Sequence, residues 1–185
     1  MKNFSIAPEN QSVLFHTARA SIEHFLLTGK LPAFASTDNQ LKESAAVFVT
    51  LTKNGDLRGC IGTTEPEAPL QTAVSRMAVA AAVEDYRFPP VTAAELKEIR
   101  IEISVLSPMK RIFNPAEILQ NTHGVAVRKG MHSGLFLPQV WEHFSSKKDF
   151  MDELCRQKAG LEPDAWNKPD IELCIFTVYA FQEPA

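Results

Sequence analysis

The sequence predicts an α+β protein in which antiparallel β-sheet packs with helices. Three observations lead to this fold class: runs with helical periodicity, strands that occur as hairpins, and an irregular order without repeated strand–helix–strand units. Residues 10–28 and 70–83 each carry an apolar helical face. Asn54-Gly55 separates two strand-like runs and favours a tight hairpin turn. With 185 residues, the chain should form one large domain or two closely joined subdomains.

The amino-terminal part is predicted to place a helix before the hairpin. Asn10 or Ser12 is the candidate N-cap, and Gly29 follows the last turn. After a loop, residues 45–52 (AAVFVTLT) are rich in β-branched side chains and predict the first strand. The return strand begins after the Asn54-Gly55 turn.

The middle of the chain continues with a short helix and a strongly patterned strand. Thr92 and Glu95 form a capping box that starts the helix. Residues 100–106 alternate with period two. The core-facing side is expected to consist of Ile99, Ile101, Ile103 and Val105, and the opposite face carries Arg100, Glu102 and Ser104.

The carboxy-terminal part predicts a second hairpin, a helix and a last strand. Asn114-Pro115 should start a short helix. A strand at 125–128 returns through 135–137, and an amphipathic helix is expected at 146–159. Residues 171–181 are apolar on both faces, which predicts one strand in the centre of a sheet.

The stretch from Leu57 to Gly62 combines a cation, a thiol and two glycines on the return strand. Simple alternation predicts that Arg58 and Cys60 share one face, while Leu57 and Ile61 lie on the core side. The glycines allow a backbone or ligand to approach closely. We interpret this stretch as a site, and Glu102 is a candidate partner for the Arg58 guanidinium.

Composition limits the classes of partner and compartment. The formal net charge of −3 and the lack of a dense basic run argue against a nucleic-acid partner. Single cysteines at 60, 155 and 174 suit a reducing compartment, and no apolar run approaches membrane-spanning length. A cytoplasmic protein is therefore expected. No CxxC or HExxH pattern offers a metal site, and no pattern identifies a cofactor or substrate.

Six motifs occur in an order that resembles the AMMECR family, also called AmmeMemoRadiSam system protein A. They extend over most of the chain and read LRGCIGTTEP, DYRFPPV, IEISVLSP, HGV, LPQVW and LCRQKAGL. The chain departs from the usual pattern at Tyr86 and Thr64. The resemblance implies a single AMMECR-type domain over residues 1–185, with a larger subdomain containing both termini and a smaller one. It also implies a shared pathway or complex with Memo-type and radical SAM proteins.

Residues that match the family motifs become the candidate site residues by resemblance. The signature supplies Arg58, Gly59, Cys60 and Gly62. The other motifs supply Arg87, Phe88, Glu102, Ser104, Gly124, Pro138 and Gln139, and His123 lies beside Gly124 as a candidate proton carrier.

Two functions remain open for these residues, together with a purely structural role. In the first, an enzyme uses Cys60 as nucleophile; Arg58 would favour the thiolate and His123 could approach through the fold. In the second, a binding or accessory protein uses Arg58 to hold an anionic ligand or a partner carboxylate, and Gly59 and Gly62 permit close contact. The binding function is preferred because it needs no activated thiol.

Overall fold

Two structural units, each with its own sheet and core, make up the protein in the computed structural model, which describes residues 4–184. The first unit contains residues 4–106 and 179–184, and the second contains residues 107–178. Each sheet has four strands, and helices pack with both, which confirms the predicted α+β class. Within the described range, no helix has the length and apolar character needed to cross a membrane.

The helices and strands follow one another along the chain in an irregular order. Within residues 4–184, they are α1 (Pro8–Thr28), α2 (Asn39–Lys42), β1 (Val47–Lys53), β2 (Asp56–Gly62), α3 (Leu70–Val83), β3 (Ile99–Leu106), β4 (Lys110–Ile112), β5 (Gly124–Lys129), β6 (His132–Phe136), α4 (Lys147–Glu153), β7 (Glu172–Phe176) and β8 (Val178–Gln182).

The first sheet has the strand order β2-β1-β3-β8 and contains the predicted hairpin. Asn54 and Gly55 have φ angles of 54° and 90°, so both turn positions lie in the region that this dipeptide tolerates. One face is fully apolar and belongs to the core that α1 and α3 share; it carries Val47, Val49, Leu51, Ile99, Ile101, Ile103 and Val105. The predicted core face of β3 is therefore confirmed.

The start of α1 differs from the prediction. Ala7 precedes the helix and Pro8 occupies its first turn, so neither Asn10 nor Ser12 is the N-cap. Proline fits there because the first-turn N–H groups have no partner within the helix. Asn10 is instead buried, and its amide donates to the Asp38 side chain at 3.0 Å. The predicted stop at Gly29 is confirmed by a left-handed conformation with φ of 70°.

The last apolar run forms two strands in different sheets, so the prediction of one continuous strand was wrong. β7 lies between β4 and β5 in the second sheet, and β8 lies at the edge of the first. Thr177 separates them, and its N–H donates to the Ser107 hydroxyl at 3.0 Å. Its carbonyl accepts from the Ser107 N–H at 2.9 Å. These two bonds replace ladder hydrogen bonds where the run is interrupted.

The second unit has the strand order β4-β7-β5-β6 and a core rich in aromatic residues. Trp141 stacks on Phe150, with ring centroids 3.5 Å apart. The predicted helix at 146–159 begins at its Ser146 cap as α4, but its last part, Leu154–Ala159, is a π-helix. Phe150 and Leu154 are fully buried, as the apolar stripe predicted.

Candidate functional site

A β-bulge changes the direction of side chains in the signature strand. Leu51 on β1 pairs with Gly59, but the next residue, Thr52, pairs with Leu57, which leaves Arg58 as the extra residue. Leu57 is consequently 43% exposed, whereas Ile61 packs against the core. The predicted core position was therefore right for Ile61 and wrong for Leu57.

Gly59 lies where the signature strand and α3 come closest. A Cβ atom at this position would lie 2.1 Å from the carbonyl oxygen of Ala81 in α3. Only glycine permits this approach, because the Cα of residue 59 and the Ala81 carbonyl both belong to backbone that other contacts hold in place. The small residue in the motif thus has a packing reason.

The opposite face of this sheet carries four of the candidate residues in two adjacent rows. Cys60 lies beside Thr50, and Thr50 lies beside Glu102. The Thr50 hydroxyl donates to the Cys60 sulfur at 3.3 Å. The next row contains Gly62, Phe48 and Ser104. A polar strip of a thiol, a hydroxyl and a half-buried carboxylate therefore crosses three strands.

Gly62 makes room for the aromatic ring in the second of these rows. A Cβ at Gly62 would lie 2.2 Å from ring atoms of Phe48, which is half-buried. Ser104, which pairs with Phe48 from the other neighbouring strand, is buried. The second signature glycine is thus also explained by packing.

Two side chains cap the free edge of β2 at Cys60. The Cys60 N–H donates to Asp85 Oδ2 at 2.8 Å, and the Cys60 carbonyl accepts from Arg87 Nη2 at 3.4 Å. Together they satisfy the backbone groups that an edge strand leaves without partners. Arg87 also bonds Asp85 through Nε at 2.9 Å and through Nη2 at 2.7 Å. We call Asp85 and Arg87 the edge clamp.

The charge state of the clamp is set by the hydrogen bonds of Asp85, which outweigh the effect of burial on its pKa. The Asp85 side chain is only 2% exposed, whereas that of Arg87 is 45% exposed. The Arg87 guanidinium, with the N–H groups of Cys60 and Arg87, holds the pKa of the Asp85 carboxyl well below its usual range. Asp85 stays ionised at neutral pH and keeps the backbone of Cys60 in place.

Arg58 is bound to Glu95 rather than to Glu102, which corrects the predicted pair. Its Nε donates to Glu95 Oε1 at 2.9 Å and its Nη2 donates to Oε2 at 3.2 Å. Because Glu95 also belongs to the predicted capping box with Thr92, its position is set locally. Arg58, together with the Thr92 N–H and Lys53, lowers the pKa of Glu95 to about 2.

One nitrogen of Arg58 has no acceptor. Nη1 is buried and makes no hydrogen bond to any residue in the range 4–184. The side chain as a whole is 12% exposed. The Phe88 ring centroid lies 6.0 Å from Cζ of Arg58 and 5.5 Å from Cζ of Arg87, so one aromatic ring adjoins both cations.

Four of the candidate residues belong to the second unit, namely His123, Gly124, Pro138 and Gln139. His123 is buried; its Nδ1 accepts from the Leu119 N–H at 3.1 Å, so the proton of the neutral ring is on Nε2. Burial lowers the pKa of His123. Its carbonyl accepts from Trp141 Nε1 at 2.7 Å. Gln139 is exposed in the 3-10 helix Pro138–His143.

Sequence reasoning did not connect three residues that hold the site together with the signature. Thr50 lies opposite Cys60, Glu95 binds Arg58, and Asp85 binds the Cys60 backbone. The capping box identified Glu95 as a structural residue, but no sequence signal linked it to Arg58.

Within residues 4–184, no group of three or more His, Cys, Asp or Glu side chains is arranged to hold a metal ion.

Most of the chain is similar to one known protein family. The AMMECR1 family matches residues 15–181, a range that runs from within α1 to the next-to-last residue of β8. The chain belongs to the AMMECR1 family.

AMMECR1-family relatives are similar over nearly the whole chain. Protein MK0488 of Methanopyrus kandleri is 41% identical over 189 residues, covering 95% of this chain and 89% of its own length. Protein PH0010 of Pyrococcus horikoshii is 39% identical over 192 residues, covering 97% and 93%. The crystal structure of the uncharacterized protein PH0010 superimposes with a TM-score of 0.79 at 38% identity, covering 97% and 94% of the two chains.

The Arg58–Glu95 ion pair should make this AMMECR1-family protein less stable as the pH falls into the acid range. The folded pKa of Glu95 is about 2, below its ordinary value of 4.5. Its contribution is therefore complete above pH 4.5 and is lost as the pH falls towards 2. We expect the wild type to lose about 2 kcal/mol more unfolding free energy over this interval than Glu95→Gln. Urea unfolding at a series of pH values measures the difference.

The matched control for this prediction is Glu98→Gln. Glu98 belongs to the same 3-10 helix and pairs with Lys53, but its side chain is 55% exposed. This variant should keep the pH dependence of the wild type. Equal pH profiles for the wild type and Glu95→Gln would show that the Arg58–Glu95 pair does not contribute to stability.

Proposed function

We propose that this protein is an accessory protein that binds a ligand or partner at its signature strand, in a modification pathway shared with Memo-type and radical SAM proteins. The family resemblance supports the pathway, and the geometry around Arg58 supports binding. A cytoplasmic location goes with this proposal, because Cys60, Cys155 and Cys174 are all free thiols.

The observation that carries the proposal is the buried Nη1 of Arg58. A buried donor without an acceptor costs about 1 to 3 kcal/mol, more when it belongs to a charged group. Nε and Nη2 of the same guanidinium already bind Glu95. An oxygen atom of a ligand or partner would satisfy the remaining donor and recover this free energy on binding.

The surroundings of Arg58 favour a negatively charged or carbonyl-rich partner group. The Arg87 side chain is exposed over nearly half of its surface, and its guanidinium adjoins the same Phe88 ring. The edge clamp and the bulge hold these groups on rigid backbone, so little conformational entropy is lost on binding. A carboxylate or backbone carbonyl would meet positioned donors here.

The alternative function, with Cys60 as nucleophile, has less support from the geometry. Arg87, which donates to the Cys60 carbonyl, is already neutralised by Asp85, and Arg58, two residues away in the chain, is neutralised by Glu95. Within the described part of the first unit, the histidines are His16 and His24, which are exposed on α1. Among these residues, neither an arginine free of a carboxylate partner nor a neighbouring imidazole is therefore available to favour the thiolate of Cys60.

Affinity purification with the Memo-type and radical SAM proteins of the same cell tests the proposal. We expect Arg58→Ala to lose captured partner by about tenfold or more, because a buried charge-assisted hydrogen bond would be absent. Cys60→Ser should retain capture. The double variant Arg58→Ala/Glu95→Ala removes the pair without leaving a buried carboxylate, so its loss of capture cannot be attributed to an unpaired charge.

The opposite pattern would support the enzyme. The binding proposal would be overturned if Cys60→Ser abolished the activity of the pathway while the Arg58 variants still captured the partner fully. The alkylation rate of Cys60 against pH gives a second readout: an ordinary thiol reacts slowly below its usual pKa of about 8.5, whereas an activated one stays reactive.

A further inference from the structure

The second unit contains a cavity that shares no residue with the signature strand. Its volume is about 330 Å³, and its lining residues come from 111–115 and 166–169, together with Ile171 and Leu173. Ile112 and Leu173 lie in the floor and are each 3% exposed, so the cavity opens directly over the core of the unit. This volume lies at the lower end of the range for small-molecule pockets.

The walls present aromatic surface to whatever enters. Trp166 lines the cavity, and its Nε1 already donates to Asp152 Oδ1 at 2.8 Å, so the indole offers its apolar ring rather than a donor. Phe113 is 86% exposed. Binding of a flat apolar group over an exposed phenylalanine at the rim of a cavity is favourable, because it removes apolar surface from water.

The charged residues in the lining are both cations. Arg111 and Lys168 pair with Glu172 at 2.9 Å and Asp164 at 3.2 Å, and neither carboxylate lines the cavity. All four side chains in these pairs are between 44% and 70% exposed. Exposed pairs of this kind are weak, so either cation can bind a second carboxylate at little cost.

The Arg111 guanidinium connects the charged and aromatic parts of the site. Its Cζ lies 5.3 Å from the Phe113 ring centroid. This stacking orients a planar donor group beside an apolar surface, the arrangement that suits a molecule with a carboxylate next to a ring. The amide of Asn167 adds a neutral polar group to the lining.

We infer that this cavity binds a small carboxylic acid with an aromatic or branched apolar body. The carboxylate is held by Arg111 and Lys168, and the apolar body lies between Phe113 and Trp166 over the core residues of the floor. The assignment is independent of the function proposed for the signature strand.

Titration of the full chain with 3-phenylpropionate, followed by NMR of the two tryptophan indole N–H signals, tests the assignment. Trp166 lines the cavity, whereas Trp141 is 1% exposed and does not. We expect a saturable shift of the Trp166 signal while that of Trp141 stays in place. The neutral analogue 3-phenylpropanamide should bind about tenfold more weakly, since it loses the charge-assisted bonds.

Variants at exposed positions make the test specific without threatening the fold. Arg111→Gln and Phe113→Ala should each weaken binding of 3-phenylpropionate by about tenfold. Arg156→Gln is the matched control, because Arg156 is 60% exposed, pairs with Glu153 and lies outside the cavity lining. The assignment would be overturned if the Trp166 signal showed no saturable shift at millimolar 3-phenylpropionate, or if the amide bound as tightly as the acid. It would also be overturned if Arg156→Gln weakened binding as much as the cavity variants, or if the protein bound only a phenylalanine-terminated peptide.

Discussion

Replacement of Gly59 by alanine is expected to lower the free energy of unfolding of the first unit by about 3 to 5 kcal/mol. The added Cβ would lie 2.1 Å from the Ala81 carbonyl oxygen, far inside van der Waals contact. Neither side can move easily, since Gly59 is in the sheet ladder and Ala81 is in α3. Either strand or helix must shift, and the shift would spread into the core that they share.

Gly55→Ala in the same hairpin is the matched control for Gly59→Ala. Gly55 has open space around it, but its φ of 90° disfavours other residues. This variant should therefore cost only about 1 kcal/mol, from backbone conformation alone. Far-UV circular dichroism during urea unfolding measures both; tryptophan fluorescence would report only the second unit, which holds Trp141 and Trp166. Equal costs would mean that contact with α3 does not limit residue 59.

Asp85→Ala should destabilise the first unit by about 3 kcal/mol. The carboxylate accepts from the N–H groups of Cys60 and Arg87 and from the Arg87 guanidinium, and it is nearly fully buried. Its removal leaves the Cys60 N–H at the sheet edge without a partner and frees Arg87. We also expect faster hydrogen exchange at the Cys60 amide, which reports the loss of the clamp directly.

Asp85→Asn and Asp56→Ala separate the contributions in this prediction. Asn keeps an acceptor for the Cys60 N–H but loses the charge that binds Arg87, so its cost should be smaller than that of alanine. Asp56 is exposed at the start of the same strand, and its replacement should change stability by less than about 0.5 kcal/mol. Unchanged exchange at Cys60 in Asp85→Ala would contradict the role of the clamp.

The local signals in the sequence predicted much of the secondary structure. Asn54-Gly55 formed the expected hairpin turn, Thr92 and Glu95 formed the expected cap, and α3 begins and ends where its periodicity indicated. Each of these depends on residues close together in the chain, whose sterics and hydrogen bonds act in any context. The apolar alternation of β3 likewise identified its buried face correctly.

The partners within the candidate site could not be obtained in this way. The bulge at Arg58 exposes Leu57, Glu95 rather than Glu102 binds the guanidinium, and the last apolar run divides at Thr177. A bulge adds one residue without leaving a recognisable signal, and every position beyond it then faces the other side. Contacts across long separations depend on which elements pack together, and this depends on the whole core.

The sequence by itself determined the location of the signature on a hairpin strand and its family resemblance. The glycines of the signature meet requirements of backbone geometry, and such requirements can be inferred from individual residues. Only the tertiary structure decided that Asp85 and Arg87 cap the edge of β2 and that Arg58 keeps one buried donor free of protein acceptors within residues 4–184. These features arise from side chains brought together by the packing of α3 and the capped 3-10 helix against the sheet, where the balance of burial and hydrogen bonding selects the pairing.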